Sequence, residues 1–402
     1  MPDPGAILAK AMTDHQAGRL DAAAAGYKRI LRKHPTHPDA LHFFGLLHFH
    51  RGQELDAVRL IMQSLAHAPG NPHAWNNLGN VLSAQDKMPE AKEAYRRVTL
   101  LAPKMAEVWY NLAICLRDEG EFDRAAQHFR KAIEQQPDFM KAYEYLGMLL
   151  YRVGDYAQAA EVYRTWLGRD PQSPVARHMA AATSGTDIPA RADDRYVAKI
   201  FDRFAASFDN NLKNLGYRAP ELVATTLRNY VGEQAKLDIL DAGCGTGLCG
   251  PLLRPLCRRL TGVDLSPKML DHARERGGYD ELSVGELCEF MRSHPGQFDA
   301  VVSADTLVYF GALEEACATA HLSLRENGLL VFTVEALPAD DPEPYKLQVH
   351  GRYTHRESYV RETLQHAGFE VLSAGREVLR MERLQEVIGH LVVAKKQVPG
   401  LA

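Results

Sequence analysis

The stretch Leu240-Asp241-Ala242-Gly243-Cys244-Gly245-Thr246-Gly247 lies in the second half of a chain of 402 residues. The residues from Leu237 to Leu240 are typical of a short strand that ends at Asp241, and the residues from Leu248 onward are typical of a helix. A glycine loop between a strand and a helix lets the backbone pass close to a ligand. The stretch therefore predicts an α/β domain with a ligand site at this loop.

A second predicted strand, Leu260–Asp264, also ends in an acid. Asp264 lies 21 residues beyond Gly243 (264 minus 243), where a ribose-binding carboxylate is expected in such a unit. The Gly-x-Gly-x-x-Gly spacing that starts at Gly245 also satisfies the dinucleotide fingerprint. Asp241 separates the two interpretations, because a carboxylate directly before the loop would repel a pyrophosphate. The α-ammonium and sulfonium of S-adenosylmethionine suit that acid, so the pattern favours this cofactor over a nicotinamide dinucleotide.

The stretch from Leu240 to Gly247 closely resembles motif I of class I methyltransferases, and the resemblance covers about residues 195–396. It implies a Rossmann-like sheet of seven strands in which the last strand is antiparallel. The third strand is expected to end within Ser283–Leu287. The fourth to seventh are expected at Phe298–Asp305, Gly328–Thr333, Phe369–Leu372 and Val387–Val393.

The same resemblance implies which residues bind the cofactor, S-adenosyl-L-methionine. In the family, the acid of the second motif holds both ribose hydroxyls. The third strand end places an acid and a backbone amide against the adenine, although the family often has Asp where this chain has Glu286. The fourth strand ends beside the transferred methyl group. The residues implied are Asp241, Gly243, Cys244, Gly245, Gly247, Asp264, Leu265, Met269, Glu286, Leu287, Ser303, Ala304 and Asp305.

Methyl transfer does not dictate a catalytic residue. The reaction is an in-line displacement at a sulfonium, and orientation in a dry pocket accounts for much of the lowered barrier. A base is needed only if the nucleophile arrives protonated and tightly held. Candidates at the mouth of the pocket are Tyr309, Glu335, His350, Tyr353 and His355, each of which is also compatible with a structural or surface role. Among them, Tyr309 and His355 are the ones predicted to contact the acceptor.

The first half of the chain repeats with a period of 34 residues, marked by Pro35, Pro69, Pro103, Pro137 and Pro171. Three further positions of the repeat recur every 34 residues: one holds a small residue, one holds alanine and one holds a large residue. This is the period of the tetratricopeptide repeat, and the resemblance to that family covers about residues 4–173. It implies a superhelix whose concave face binds a peptide or protein.

Two asparagines, Asn77 and Asn111, share one phase of this repeat. They resemble the asparagine ladder in the repeat arm of O-linked N-acetylglucosamine transferase, whose amides hold the backbone of an extended peptide. Phe43 and Tyr145 occupy the same phase in the neighbouring repeats, so any ladder has two rungs. Both asparagines are predicted to bind substrate, and the alternative is that they are ordinary solvated positions.

The predicted fold class is α plus α/β. It comprises an all-α tetratricopeptide superhelix over 1–173, a linker over 174–194 and the class I methyltransferase domain over 195–402. A helix near the start of this last domain carries Phe201, Phe204 and Phe208 on one face. That helix either packs against the domain or forms a lid over the ligand.

The composition narrows the function classes. A formal net charge of −4 gives no general attraction to nucleic acid or an anionic membrane, and the DNA-methyltransferase motifs Asn-Pro-Pro-Tyr and Pro-Cys are absent at the relevant positions. Six scattered cysteines without a Cys-x-x-Cys pair, and no secretion signal, predict a cytoplasmic protein. The histidines lack metal-binding spacing, so no metal is expected.

Two functions remain open at this level. The first is an S-adenosylmethionine-dependent enzyme that methylates a protein or peptide docked on the repeats. The second is a small-molecule or glycan-precursor methyltransferase whose repeats only tether it to a partner protein. A scaffold with a vestigial cofactor site is disfavoured by the intact Asp241, glycine loop and Asp264.

Overall fold

The computed structural model describes residues 3–382 and 384–397. The chain divides into two units, one that ends at Asp170 and one that begins at Pro171. Among the described residues, no helix is both long enough and apolar enough to span a bilayer.

The first unit, here called the arm, consists of ten helices in five consecutive pairs. They are α1 Pro4–Gln16, α2 Leu20–Lys33, α3 Pro38–His50, α4 Glu54–His67, α5 Pro72–Ala84, α6 Met88–Leu101, α7 Ala106–Asp118, α8 Phe122–Gln135, α9 Met140–Val153 and α10 Tyr156–Arg169. Each pair is one 34-residue repeat, so the predicted helical repeat region is confirmed.

The period arises from close packing between the two helices of a repeat. A Cβ atom at Gly79 would lie 2.5 Å from the ring of Tyr95, and one at Gly147 would lie 2.5 Å from the ring of Tyr163. Both rings are buried, with 3% and 1% of their surface exposed. The small residue on the first helix therefore makes room for the aromatic residue on the second.

The second unit begins with four helices, α11 Pro174–Ser184, α12 Asp194–Phe204, α13 Phe208–Asn214 and α14 Ala219–Val231. Helix α11 lies within the predicted linker, and its Ala181 and Ala182 pack with Leu347 and Tyr353 of this unit. The remaining elements alternate strands and helices. They are β1 Leu237–Ala242, α15 Gly250–Leu253, β2 Cys257–Asp264, α16 Pro267–Arg276, β3 Glu281–Val284, α17 Leu287–Ser293, β4 Phe298–Ser303, α18 Glu314–Ser323, β5 Leu324–Ala336, β6 Tyr345–Leu347, β7 Tyr353–His355, α19 Glu357–His366, β8 Phe369–Glu382 and β9 Gln385–Lys396.

The strands form one mixed sheet. Strands β3, β2, β1, β4 and β5 are parallel neighbours in that order, and β9 lies antiparallel between β5 and β8. This confirms the predicted seven-stranded arrangement with an antiparallel last strand. Strands β6 and β7 form a short hairpin that was not predicted from the sequence. Strand β7 pairs in parallel with Glu335 and Ala336 at the carboxyl end of β5.

Candidate active site

A cavity lies at the carboxyl ends of β1, β2 and β4, the edge at which α/β sheets bind ligands. Helices α12 and α13 and the carboxyl end of β8 also contribute to its wall. We call it the site cavity. Ten predicted site residues line it, namely Gly243, Cys244, Gly245, Asp264, Leu265, Glu286, Leu287, Ala304, Asp305 and Tyr309.

The glycine loop after β1 depends on backbone conformations that favour glycine. Gly243, Gly245 and Gly247 have φ values of 80°, 54° and 80°. At Gly243 a Cβ atom would also lie 2.3 Å from the side chain of Thr306, so the loop passes directly against the segment after β4. The loop is anchored to β2 because the N–H groups of Gly243 and Cys244 both donate to the carbonyl of Val263, at 2.9 and 3.1 Å.

Asp264 is held in a fixed orientation at the end of β2. Its Oδ2 accepts a hydrogen bond from the Gly245 N–H at 2.9 Å, and its Oδ1 accepts one from the Ser266 N–H at 2.9 Å. Burial raises the pKa of this carboxyl, although both N–H groups act in the opposite direction. The carboxylate lines the cavity, where it could bind a pair of hydroxyl groups.

Asp241 does not line the site cavity and is fully buried at the end of β1. Its Oδ2 accepts a hydrogen bond from the Tyr279 hydroxyl at 2.6 Å, and its Oδ1 has no hydrogen-bond partner among the described residues. Burial raises the pKa of Asp241 to about 7. Tyr279, a lone tyrosine between α16 and β3, carried no signal in the sequence.

Glu286 is the N-cap residue of α17 and links two parts of the cavity wall. Its Oε2 accepts the Glu289 N–H at 2.8 Å, and its Oε1 accepts a hydrogen bond from Arg191 at 2.8 Å. Burial alone would raise the pKa of Glu286, but the backbone N–H groups at the start of α17 and the Arg191 charge lower it. Arg191 also pairs with Asp194 and lies over the ring of Phe310. No sequence motif pointed to Arg191.

Besides Asp241, four predicted site residues of this unit lie outside the cavity lining. Ser303 donates to the carbonyl of Ala242 at 2.9 Å and joins β4 to β1. His355 is buried and donates to the carbonyl of Gly311 at 3.1 Å, and burial lowers its pKa to about 4. The other two are Gly247, which packs against Ala273 and Tyr279, and the buried Met269.

Helices α12 and α13 cover the cavity. Phe201 and Phe208 line it, and the ring of Phe201 contacts that of Tyr309 edge-on with centroids 5.5 Å apart. Asp202 accepts a hydrogen bond from the Ser266 hydroxyl, and Asp209 accepts one from the Thr246 hydroxyl, both at 2.6 Å. These contacts connect the covering helices to the glycine loop after β1 and to the segment after β2, which is the placement that the lid interpretation requires.

Near the carboxyl ends of β4, β5 and β8 lies a group that we call the ion cluster, composed of Asp305, Glu335, Arg352, Arg380 and Glu382. Arg380 donates to Asp305 and to Glu382, each at 2.6 Å, and also contacts Glu335. Arg352 donates to Glu335 and Glu382, each at 2.6 Å. The predicted mouth residue Glu335 thus belongs to this network, and Arg352, Arg380 and Glu382 were missed because they are far apart in sequence.

The two predicted groove asparagines of the arm contact the preceding repeat. Asn77 shares a hydrogen bond of 2.8 Å with His42, and the amide nitrogen of Asn111 donates to Asn76 and Asn80, at 3.2 and 3.1 Å. Asn111 also lines a pocket, here called the arm pocket, and Asn77 does not. The arm pocket is formed by Asn80, Ser83, Tyr95, Tyr110, Asn111, Ile114, Arg117 and Tyr145.

Comparison with known families identifies both halves of the chain. Residues 240–332 match the family described as methyltransferase domain, and residues 8–72, 76–138 and 116–174 match tetratricopeptide repeats. The chain joins tetratricopeptide repeats to a class I methyltransferase domain. Such a domain implies S-adenosylmethionine as the cofactor.

Relatives of the methyltransferase domain share only part of their length with this chain. Methyltransferase-like protein 27 of Homo sapiens is 41% identical over 111 residues, which are 27% of this chain and 45% of that protein. Malonyl-[acyl-carrier protein] O-methyltransferase of Acetivibrio thermocellus is 33% identical over 147 residues, which are 35% of this chain and 50% of that protein. The chain thus spans about half the length of these relatives. A solved S-adenosylmethionine-dependent methyltransferase from Mesorhizobium loti is 23% identical, with 43% of this chain and 96% of that chain covered and a TM-score of 0.36.

The residues of the methyltransferase domain fit S-adenosylmethionine. The cofactor has no phosphate, and the cavity offers the carboxylates of Asp264 and Glu286, which could accept hydrogen bonds from ribose hydroxyls and an adenine amino group. The buried Oδ1 of Asp241 is an acceptor without a partner in the described part of the chain, as expected beside a site for a cationic ligand. The glycine loop lines the cavity, and Gly243 has no room for a side chain because Thr306 packs against it.

Proposed function

We propose that the protein transfers a methyl group from S-adenosylmethionine to a protein or peptide acceptor that is docked by its arm. The methyltransferase domain and its relatives support the transfer, and the arm pocket supports the nature of the acceptor. In this proposal Asp264 binds the ribose and Glu286 and Leu287 bind the adenine. The loop that contains Gly243, Cys244 and Gly245 forms the floor of the cofactor site.

The chemistry requires mainly orientation and the exclusion of water. When bound, S-adenosylmethionine supplies an electrophilic methyl group on a sulfonium. Phe201, Phe208 and Tyr309 form an aromatic wall over the cavity and keep water from the reacting atoms. Ala304 and Asp305, at the end of β4, fix the position of the acceptor relative to the methyl group.

The arm pocket is the single observation that favours a peptide as the acceptor. Its lining comes from the first helices of three successive repeats, together with Tyr95. Tyr110 and Tyr145 meet edge-on with centroids 5.4 Å apart, and the guanidinium of Arg117 lies 5.4 Å from the ring centroid of Tyr145. Aromatic faces, an amide and a cation along one surface match the side chains and backbone of an extended peptide.

The names of the curated relatives favour a second candidate. Malonyl-[acyl-carrier protein] O-methyltransferase is named for a malonyl group on a carrier protein, and magnesium-protoporphyrin O-methyltransferase is named for a porphyrin. By analogy this chain would methylate a small molecule or glycan precursor, and the arm would tether the enzyme to a partner protein.

Two substitutions in the arm pocket distinguish these candidates. The full-length variant with Asn111→Ala and Arg117→Ala is expected to methylate the dialysed protein fraction of a cell extract about tenfold more slowly at limiting acceptor concentration. At high acceptor concentration its rate approaches that of the wild type, since only docking is weakened. The measurement is tritium transfer from labelled S-adenosylmethionine into this protein fraction and, in a parallel assay, into the small-molecule fraction of the same extract.

Arg59→Ala is the matched control, since Arg59 lies on the arm outside the pocket and pairs with the neighbouring Asp56 at 2.8 Å. It should label protein at the wild-type rate. If label enters the small-molecule fraction instead, and the pocket variant transfers it at full rate, the tether interpretation replaces the peptide one.

A further inference from the structure

The ion cluster, which forms one part of the wall of the site cavity, carries excess negative charge. It contains the carboxylates of Asp305, Glu335 and Glu382 and the guanidinium groups of Arg352 and Arg380, a net charge of −1 (2 minus 3). The neighbouring His350 adds no charge at neutral pH, because burial lowers its pKa to about 4. Both arginines are already bound to carboxylates of the protein. An anionic acceptor would therefore meet repulsion rather than a free cation.

Asp305 differs from the other carboxylates of this cluster. It is the second residue after the end of β4, and it lines the cavity. Its φ of 59° is uncommon for a residue other than glycine. Its N–H donates to the Thr333 hydroxyl at 2.9 Å, and Arg380 holds its Oδ2 at 2.6 Å. Its Oδ1 is buried and has no hydrogen-bond partner in the part of the chain that the structure describes.

A buried acceptor atom without a partner costs free energy unless a ligand supplies the missing donor. Backbone strain of the kind seen at Asp305 is concentrated at ligand sites in proteins. Burial raises the pKa of Asp305, and the nearby carboxylates of Glu335 and Glu382 raise it further against the effect of Arg380 and Arg352. A group that donates a hydrogen bond and gains positive charge would offset these costs.

We propose that Asp305 binds the acceptor group directly and that this group is an amine nitrogen. The inference rests on the proposed methyl transfer and names the class of its substrate. The amine arrives as an ammonium ion and first loses one proton to solvent, and one remaining N–H of the free base donates to the unpaired Oδ1 of Asp305. Its lone pair forms the bond to the methyl carbon, while the carbon–sulfur bond breaks and its electron pair stays on sulfur. The nitrogen then carries the positive charge and releases one proton to solvent.

The direction in which charge moves distinguishes an amine from a carboxylate acceptor. Transfer to an amine moves the positive charge from sulfur to nitrogen, next to Asp305, so the carboxylate stabilises the charge that develops. Transfer to a carboxylate cancels both charges, and the cluster would repel that acceptor before reaction. The net charge of −1 therefore favours N-methylation.

The test uses the full chain, tritiated S-adenosylmethionine and paired probes that differ only in the acceptor. One pair is a short synthetic peptide with a central lysine and the same peptide with glutamate in its place, and the other pair is butylamine and butyrate. We expect label in the amine probes that survives alkali, because N-methyl groups are stable there and methyl esters release methanol. Alkali-labile label in the glutamate peptide or in butyrate, or no label in either amine probe, overturns the proposal.

Asp305→Asn gives a second readout, because it keeps the shape and removes the charge. We expect methylation of the lysine peptide to fall about 100-fold. Calorimetry with S-adenosylhomocysteine present should show peptide binding weakened about tenfold, with the affinity for S-adenosylhomocysteine itself within about twofold. The control Asp271→Asn, an exposed residue of α16 paired with Arg274, should behave as wild type. Unchanged peptide binding and methylation in Asp305→Asn would overturn the proposal.

These outcomes separate the inference from the proposed function. Label in butylamine but not in the lysine peptide keeps the amine and removes the peptide acceptor. Label in the glutamate peptide alone keeps the peptide and removes the amine. The probe data on the wild-type protein decide both points even if the Asp305 variant fails to fold.

Discussion

Replacing Gly243 with alanine is expected to weaken S-adenosylmethionine binding at least about 100-fold, equivalent to about 2.7 kcal/mol. The new Cβ would lie 2.3 Å from the Thr306 side chain, and the φ of 80° is unfavourable for alanine. The loop must move, and it carries the N–H of Gly245 that holds Asp264. Calorimetric titration of the full-length variant measures the loss.

Two further variants show whether the clash or the backbone angle causes this loss. Gly185→Ala meets a similar φ of 70° with no atom within 4 Å, and it should bind the cofactor normally. Adding Thr306→Gly to Gly243→Ala removes the clashing side chain and should restore part of the affinity. Tight binding by Gly243→Ala alone would show that the loop does not form the cofactor site.

Replacing Arg380 with methionine is expected to destabilise the protein by about 3–5 kcal/mol, because it removes the cation shared by three carboxylates. The side chain of Arg380 is 3% exposed, so water cannot replace its hydrogen bonds. Chemical denaturation monitored by circular dichroism measures the change. Arg361→Met is the matched control, since Arg361 forms an exposed pair with Glu357 and should change stability by less than about 1 kcal/mol.

The pH dependence of the Arg380 variant identifies the cause. Burial alone would raise the pKa of Glu335, but Arg352 and Arg380 hold it below its ordinary value. In the wild type this carboxylate therefore stabilises the fold above its ordinary pKa and loses that effect as pH falls. Without Arg380 the folded-state pKa rises, so the deficit should be larger near about pH 8 than near about pH 5. An equal deficit at both values would exclude unpaired carboxylates as the cause.

The features predicted from sequence depend on residues that are close along the chain. The repeat period marks helix pairs because a small residue such as Gly79 and a large one such as Tyr95 pack within one repeat. The glycine loop is recognisable because strand, loop and helix follow one another directly. The β6–β7 hairpin escaped prediction because its strands have three residues each, too few to show an alternating pattern.

The ion cluster depends on contacts between distant residues. Asp305 and Arg380 are 75 positions apart, and Arg352 lies 17 positions from Glu335, so no local pattern connects them. Asp241 illustrates a different limit. Its type and position indicate a cofactor contact, whereas its partner Tyr279 and its place outside the cavity lining are visible only in three dimensions.

The central claim is that the site cavity binds S-adenosylmethionine rather than a dinucleotide. The most direct measurement is calorimetric titration of the full-length protein with S-adenosylmethionine, S-adenosylhomocysteine and NAD. The account predicts saturable binding of the first two at one site per chain and no binding of NAD. Binding of NAD, or no binding of S-adenosylmethionine at concentrations that saturate typical methyltransferases, would contradict it.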